Sequence, residues 1–260
     1  MELLKGRIDF YRCLHISLPS LPESLEAILP SSIATWRAEN IKAVWLNVPN
    51  AQLSLAGVAQ KFGFYPHHVN PTGLQMALWL PDRPNSLPTY STHYIGTGGV
   101  VFNEKSEILL VVNRYSGIGS YQWRPPGGLV EAGELVTEGA CREVLEETRV
   151  STTPLGVIAL REKRNYQFDR PDIYFLVLLE AQSTAITMDN EELTHCEWKN
   201  FIEWIDEDLP GDARFMMRSL YTDRSILPHE FFRSLCLKYV QREFKSANYT
   251  APHYYHFSIK

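Results

Sequence analysis

The sequence predicts an α/β protein that is divided into two units. Stretches with helical spacing of apolar residues alternate with short apolar runs, and this alternation is typical of layered α/β folds. Three prolines, together with Asn85 and Ser86, follow Leu80, and this is the composition of a linker. We therefore expect a first, small α/β unit at residues 1–88 and a second unit at residues 89–260.

The first unit is predicted to contain two helices and two strands. Apolar spacing predicts a helix over residues 22–40, which Pro30 must break or kink because proline lacks an N–H group. A second helix is expected at residues 51–61, and the two strands are expected at residues 42–48 and 74–80.

His67 and His68 are adjacent in the first unit. In a strand, the side chains of adjacent residues point to opposite faces. No acid or cysteine stands near the two histidines at metal-ligand spacing, so we expect a structural or surface role for them.

The second unit is predicted to begin at His93 and to contain four strands and three helices. The strands are expected at residues 94–103, 107–113, 155–162 and 172–180, and the helices at 136–148, from 201–204 onward and at 228–244. The interior of the fourth strand is continuously apolar, as expected of a buried strand.

Composition limits the classes of partner. The 260 residues are 45% hydrophobic and carry a net charge of −5. Nucleic-acid binding needs a basic surface, so this net charge argues against it. It does not argue against a small anionic substrate, because one basic pocket can lie on an acidic protein. No apolar run approaches a membrane span, and the first residues lack the apolar core of a signal peptide.

The cysteines are few and widely separated. They lack metal-ligand spacing and are Cys13, Cys141, Cys196 and Cys236. A reducing compartment is the simpler interpretation, and we expect a cytoplasmic protein that binds neither nucleic acid nor membranes.

The predicted helix at residues 136–148 carries an acidic cluster. Glu143 lies one turn before Glu146 and Glu147, so the three carboxylates share one face. Like charges on one face repel each other, and a hard divalent cation removes the repulsion because Mg²⁺ accepts oxygen ligands. Arg142 is four residues before Glu146 and can fix the orientation of its carboxylate.

The segment Gly127–Val150, called the box segment below, resembles a Nudix box. That pattern has an opening glycine, a glutamate after five residues and, seven residues later, Arg-Glu-apolar-any-Glu-Glu-any-Gly-apolar. The matching residues are Gly128, Glu134, Arg142, Glu143, Val144, Glu146, Glu147 and Val150. The resemblance identifies the second unit as a Nudix domain and implies an α/β/α sandwich with a mixed sheet.

One position departs from the pattern, because Arg149 stands where the late glycine is expected. A glycine just past a helix end usually serves a left-handed cap. The departure concerns the helix end and not the acidic side chains.

The resemblance implies metal-dependent hydrolysis of the diphosphate bond in a nucleoside diphosphate linked to another group. It implies Mg²⁺ or Mn²⁺ held by Glu143, Glu146 and Glu147, with a carbonyl of the Gly127–Gly128 turn as a further ligand. Arg142 is expected to hold these acids, with Glu146 and Glu147 counted among the catalytic residues. Glu134 lies near the helix start, where it is either structural or a secondary ligand.

A second acid is expected from a loop beyond the helix. Glu192 precedes Trp198 by six residues, a spacing that resembles a family pattern in which the glutamate is a metal ligand or general base. Glu191 is its rival, and a solvated loop acid is the remaining alternative.

Substrate recognition is expected to use aromatic stacking for a base and arginine for phosphates. The candidates are Arg114, Tyr115, Trp123, Arg161, Arg164 and Tyr166. ADP-ribose or NADH is the leading substrate class, with AMP as a product. Tyr166 falls where dinucleoside-polyphosphate hydrolases often carry tyrosine, which leaves that activity as an alternative. The second alternative is a nucleotide-binding or regulatory Nudix protein with weak catalysis.

The first unit has a resemblance of its own. The runs TWRAENIKAVWLNVP, FGFYPHH and LWLP resemble the pre-Nudix domain of plant ADP-ribose and NADH diphosphatases. They also resemble that of the vertebrate Nudix protein encoded antisense to a fibroblast growth factor gene. The resemblance implies an acetyltransferase-like core that serves interaction, support or dimerisation, so a homodimer stays open.

Overall fold

The computed structural model describes most of the chain in side-chain detail. The described residues are 3–114, 122–209 and 211–235, with the backbone of 237–241 and 253–256. The chain divides into two compact units, Met1–Thr92 and His93–Lys260.

The first unit is a sheet covered by two helices. Its elements are β1 (Arg7–Ile8), β2 (Cys13–Ile16), α1 (Leu25–Ala38), β3 (Ala43–Pro49), α2 (Ser54–Lys61), β4 (Tyr65–Asn70) and β5 (Gly73–Trp79). The strand order is β1-β2-β3-β5-β4, and only the β2–β3 pair of this sheet is parallel. Leu25, Leu29 and Trp36 of α1 belong to the same buried cluster as Leu46 and Met76 of the sheet. The acetyltransferase-like character of this unit stays a prediction.

Of the two outcomes expected at Pro30, the break is excluded. Helix α1 continues through the proline, because its buried apolar residues lie on both sides of it and anchor both halves. The expectation that the two adjacent histidines point to opposite faces is wrong. The side chains of His67 and His68 do not diverge, since their Nδ1 atoms are 2.6 Å apart. The register of β4 shifts between Pro66 and His68, and such a bulge interrupts the alternation of side chains.

The second unit is built on a larger mixed sheet. Its elements are β6 (Tyr94–Phe102), β7 (Glu107–Asn113), β8 (Gly127–Leu129), α3 (Val136–Thr148), β9 (Thr152–Gln167), β10 (Arg170–Ala181), β11 (Leu193–Asn200), α4 (Phe201–Asp206), α5 (Asp212–Leu220), α6 (Pro228–Leu235), β12 (Leu237–Gln241) and β13 (His253–His256). The strand order is β11-β7-β6-β10-β9-β12-β13, with β8 paired to β6. Strands β6 and β10 are parallel, and the other pairs are antiparallel.

Alternation along the central strands sends neighbouring residues into two different cores. Val101 and Leu109 pack in the cluster that contains Val144 of α3. Val100 and Leu110 pack in the cluster that contains the aromatic residues of α4 and α6. The expected α/β/α sandwich is therefore confirmed.

The last predicted helix is too long. Helix α6 ends at Leu235, and Leu237–Gln241 forms a strand that pairs with β9. Residues 242–244 lie outside the described part of the chain. The structure also contains α5, which the apolar pattern did not predict. Within the described residues, no helix combines the length and the apolar character needed to cross a membrane.

Helix α3 ends in a left-handed residue. Arg149 has φ 59° and ψ 13°, and its N–H group donates to the carbonyl of Leu145 at 2.9 Å. The expectation of a left-handed cap is confirmed, although an arginine occupies it. A side chain with a Cβ costs about 1–2 kcal/mol in this conformation, whereas glycine adopts it freely.

We expect Arg149→Gly to raise the free energy of unfolding of the second unit by about 1 kcal/mol, because it removes the Cβ strain. Thermal unfolding should show a rise in Tm of roughly 2–4 °C. Arg149→Ala is the control, because it removes the charge but keeps the Cβ. A loss of stability in both variants would show that the arginine side chain stabilises the helix end, and a loss in the glycine variant alone would contradict the Cβ strain.

Candidate active site

The box segment forms a strand, a loop and a helix. Glu138 caps the start of α3, where its carboxylate accepts the N–H group of Leu135 at 2.9 Å. Ala140 and Val144 are fully buried against the sheet. The acids occupy other positions on the helix. The packing of Ala140 and Val144 against the sheet therefore fixes the position of these acids relative to β8.

Arg142 is the centre of one charge network. Its Nε and Nη2 atoms contact the two carboxylate oxygens of Glu134 at 2.8 and 3.0 Å. Its Nη1 atom contacts Glu143 at 2.9 Å and Glu146 at 3.0 Å. Its Nη2 atom also donates to the carbonyl of Leu129 at 3.0 Å. Arg142 therefore ties three acids of the box segment to the end of β8, but Glu147, which it was also expected to hold, is not among them.

Glu134 has both of its oxygens engaged. Besides Arg142, its carboxylate accepts the N–H group of Glu131 at 2.9 Å. The hydrogen bond from Arg142 is the main reason why its pKa is lowered. This geometry favours the structural role over the role of a secondary ligand.

Glu147 belongs to a second network, which Arg124 organises. The Glu147 side chain is 4% exposed, and its Oε1 atom lies 2.9 Å from Nη2 of Arg124. The same guanidinium donates to the carbonyls of Pro125 and Gly127 at 2.9 and 3.0 Å and to Asn113 at 2.5 Å. Arg124 therefore joins two of the expected metal ligands, Glu147 and Gly127.

Burial makes the charged form of two box acids costly. Burial raises the pKa of Glu147 to about 7 despite the opposing charge of Arg124. Burial also raises the pKa of Glu143, and the like charges of Glu146 and Glu192 add to the effect of burial. Oε2 of Glu147 is buried and has no hydrogen-bond partner within the described residues.

Gly128 permits a close approach of the helix to β8. A Cβ at this position would lie 2.5 Å from Oε1 of Glu143, which is closer than real side chains come. A side chain at position 128 would therefore displace the Glu143 carboxylate from its present position.

A cavity of about 600 Å³ lies beside this turn. It is lined by Gly96, Asn113, Gln122, Trp123, Arg124, Pro125, Gly127, Gly128, Leu129, Arg161, Lys163, Tyr166, Asp172, Tyr174, Gly211, Asp212, Ala213 and Arg214. Three of the six predicted substrate residues are among them: Trp123, Arg161 and Tyr166.

Arg161 is held inside the cavity by two acids. Its guanidinium lies 2.9 Å from Asp172 and 2.8 Å from Asp212. It also stacks over the ring of Tyr174 at 5.2 Å. Lys163 lines the same cavity and adds a second, exposed cation.

The other predicted substrate residues lie elsewhere. Arg114 donates to the carbonyls of Asn190 and Leu193 at 2.6 and 3.2 Å, so it holds the loop before β11 and does not line the cavity. Arg164 is exposed and also absent from the cavity wall. Tyr115 lies outside the described residues.

The loop that carries the predicted second acid packs against the end of α3. The N–H group of Asp189 donates to the carbonyl of Glu147 at 3.0 Å. The carbonyl of Glu192 accepts the N–H group of Arg114 at 2.8 Å. The carboxylates of Glu191 and Glu192 are exposed, and the charge of Glu192 acts on Glu143. The choice between the two acids stays a prediction.

Comparison with known proteins shows which family the chain is similar to. The NUDIX domain model matches residues 92–219, and the Nudix hydrolase domain model matches residues 4–80. Nudix hydrolase 2 of Arabidopsis thaliana is 32% identical over 192 residues, which cover 73% of this chain and 68% of that protein. The chain belongs to the Nudix family.

Other Nudix relatives match over similar lengths. Nudix hydrolase 8 of Arabidopsis thaliana is 32% identical over 219 residues, which cover 84% of this chain but only 59% of that protein. Nucleoside diphosphate-linked moiety X motif 6 of Homo sapiens is 32% identical over 204 residues, covering 75% of this chain and 64% of that protein. Among solved structures, the MutT Nudix hydrolase of Burkholderia pseudomallei has a TM-score of 0.41 at 18% identity, covering 48% of this chain and 96% of that chain.

Nudix hydrolases generally use divalent metals, and the donors of the box segment suit such a cation. The unpartnered Oε2 atom of buried Glu147 can accept a cation, and the remaining donors are oxygens, which Mg²⁺ and Mn²⁺ prefer. Within the described ranges, no three His, Cys, Asp or Glu side chains are already arranged around a common metal position. Glu134, Glu143, Glu146 and Glu147 instead contact Arg142 and Arg124, whose two positive charges offset only part of their negative charge.

The sequence analysis missed Arg124 and the acids around Arg161. Arg124 and Glu147 are 23 residues apart, and no local spacing relates them. The sequence signal that could have indicated Arg124 was a basic residue shortly before Gly127 and Gly128. Asp212 and Arg214 lie on α5, which the apolar pattern did not reveal.

We expect Arg124→Gln to lower the free energy of unfolding of the second unit by about 3 kcal/mol, because it leaves a buried carboxylate without its partner. Chemical denaturation measures this change. Adding Glu147→Gln to the variant should recover most of the loss, since the buried charge is then gone. Arg164→Gln is the matched control on an exposed arginine. Equal destabilisation by the single and double variants would show that Arg124 does not stabilise the fold through Glu147.

Proposed function

We propose that this Nudix protein is a cytoplasmic Mg²⁺- or Mn²⁺-dependent hydrolase of nucleoside diphosphate derivatives. The main support is the position of Glu147, whose buried, unpartnered carboxylate oxygen belongs to the network that borders the cavity at Gly127. A partly protonated buried carboxylate gains from a nearby positive charge. A divalent cation fits this requirement better than a neutral ligand does.

The box acids would hold the cation. We assign Glu143, Glu146 and Glu147 as its ligands, with the carbonyl of Gly127 as a further donor. A bound divalent cation lowers the pKa of a water molecule and screens the phosphate oxygens. Arg142 limits the rotation of Glu143 and Glu146, because one nitrogen contacts both carboxylates. Glu192 is the candidate that accepts a proton from water, with Glu191 as its rival.

The cavity would hold the rest of the substrate. Trp123 and Tyr166 offer ring faces for a base, and both line the cavity wall. Arg161 and Lys163 supply positive charge for the diphosphate. The volume of the cavity, about 600 Å³, lies within the range of small-molecule sites. ADP-ribose or NADH remains the leading substrate class, and hydrolysis of either would release AMP.

Two other activities have an observation in their favour. The contacts of the three proposed ligands with Arg142 and Arg124 favour a nucleotide-binding protein with weak catalysis, since a cation has to compete with both arginines. The presence of Tyr166 in the cavity wall favours dinucleoside polyphosphates as substrates. A homodimer also remains open.

We expect Glu147→Gln and Glu146→Gln each to lower metal-dependent AMP release by about two to three orders of magnitude. A lost metal contact removes several kcal/mol of transition-state stabilisation, and each tenfold loss corresponds to about 1.4 kcal/mol. The assay incubates the protein with Mg²⁺ or Mn²⁺ and ADP-ribose, NADH or a diadenosine polyphosphate, and it separates the products by chromatography.

Glu203→Gln is the control, because Glu203 is an exposed acid on α4. It should retain the activity of the unmodified protein. Full activity in both box variants would refute the assignment of the ligands. Tight nucleotide binding without turnover at saturating metal would support the regulatory alternative.

A further inference from the structure

The first unit contains a cavity of its own, of about 480 Å³. It lies between the turn that joins β1 to β2, the start of β3 and the segment that follows β5. This volume falls within the range of small-molecule sites. Nothing in the proposed hydrolysis uses this cavity, and all of its lining residues belong to the first unit.

Aromatic rings form much of the cavity wall. Trp45, Trp79 and Tyr11 line it, and Tyr11 is 71% exposed. Trp45 and Trp79 are partly exposed, and a planar ligand can cover such ring faces. Leu87 and Pro88 add apolar surface on the remaining side. The wall therefore favours a planar, ring-containing ligand.

Two cations at the cavity lack an acidic partner. Lys42 and Arg83 line it, and both are exposed. Arg83 stacks over the ring of Trp79 at 5.4 Å, and neither side chain pairs with a carboxylate within the described residues. The acid of the cavity, Asp9, is already engaged by His15 at 2.9 Å. The charge that this cavity presents to a ligand is therefore positive.

The cavity wall is formed before any ligand binds. The segment from Arg83 to Pro88 has the composition of a linker, yet three hydrogen bonds fix it to the first unit. Nε1 of Trp79 donates to the carbonyl of Arg83 at 2.8 Å, and Asn85 donates to the hydroxyl of Tyr65 at 2.8 Å. His67 bonds the carbonyl of Pro88 at 2.9 Å through Nε2.

The opposite wall is fixed as well. Asp9 accepts the N–H groups of Tyr11 and Cys13 at 2.9 and 2.8 Å, which closes the turn. The N–H group of Lys42 donates to the carbonyl of Arg12 at 2.9 Å and ties the turn to β3. A site whose walls are already ordered binds with less loss of conformational entropy.

From this arrangement we propose that the first unit binds a nucleoside monophosphate in the cavity between Trp45, Trp79 and Tyr11. The base stacks on the aromatic wall, and Lys42 and Arg83 contact the phosphate. Rings and unpaired cations in one cavity match the two chemical parts of this ligand. The proposal is independent of the hydrolysis assigned to the second unit.

The test is calorimetric titration of the full-length protein with AMP, adenosine and inorganic phosphate in the presence of EDTA. AMP has no diphosphate bond, so hydrolysis does not interfere. We expect AMP to bind at least about tenfold more tightly than either part alone, because charge-assisted contacts and stacking add to each other. The double variant Lys42→Gln/Arg83→Gln should lose this gain. Phosphate binding equal to AMP binding would contradict the role of the aromatic wall.

Two further variants locate the site. Arg37→Gln/Lys61→Gln removes the same charge from the first unit outside this cavity and should bind AMP normally. Arg161→Gln changes the cavity of the second unit and should leave the binding that depends on Lys42 and Arg83 intact. The proposal fails if AMP does not bind, or if Arg161→Gln abolishes binding while Lys42→Gln/Arg83→Gln does not.

Discussion

Repulsion between carboxylates on helix α3 is the constraint on which the second unit depends. Two arginines from different places in the chain relieve it. Arg142, on the helix itself, contacts Glu134, Glu143 and Glu146, whereas Arg124 reaches Glu147 from before β8. Both arginines also bond backbone carbonyls of the β8 region. The same set of contacts therefore reduces the repulsion between the acids and attaches the helix to the turn.

Packing places these charges beside the turn at Gly127, which borders the cavity. The apolar side of α3 is buried against the central strands, and a side chain at Gly128 would displace the Glu143 carboxylate. The turn at Gly127 is shared between the acidic networks and the cavity that holds Trp123 and Arg161. A diphosphate in that cavity and a cation at the acids would thus be neighbours, which is the arrangement that the proposed reaction needs.

The sequence predicts those features that depend on local spacing. Helix α3 is found at the predicted residues 136–148, a segment without proline, and the strand predicted at 107–113 is found as β7, because its interior is a continuous apolar run. Features that depend on distant residues were not predictable. The contact of Arg124 with Glu147 exists only after the sheet has formed, and the strand at Leu237–Gln241 depends on pairing with β9. Helix α5 escaped prediction because its buried residues include a charged one, Arg214, which hides the apolar pattern.

The central claim is that the box acids bind a divalent cation in place of their arginine contacts. A crystal of the full-length protein soaked in Mn²⁺ tests it most directly, because the anomalous signal of manganese locates the metal without reference to activity. The account predicts an anomalous peak within coordination distance of the carboxylates of Glu143, Glu146 and Glu147. Ordered carboxylates that still contact Arg142 and Arg124, with no peak beside them at saturating Mn²⁺, would contradict it.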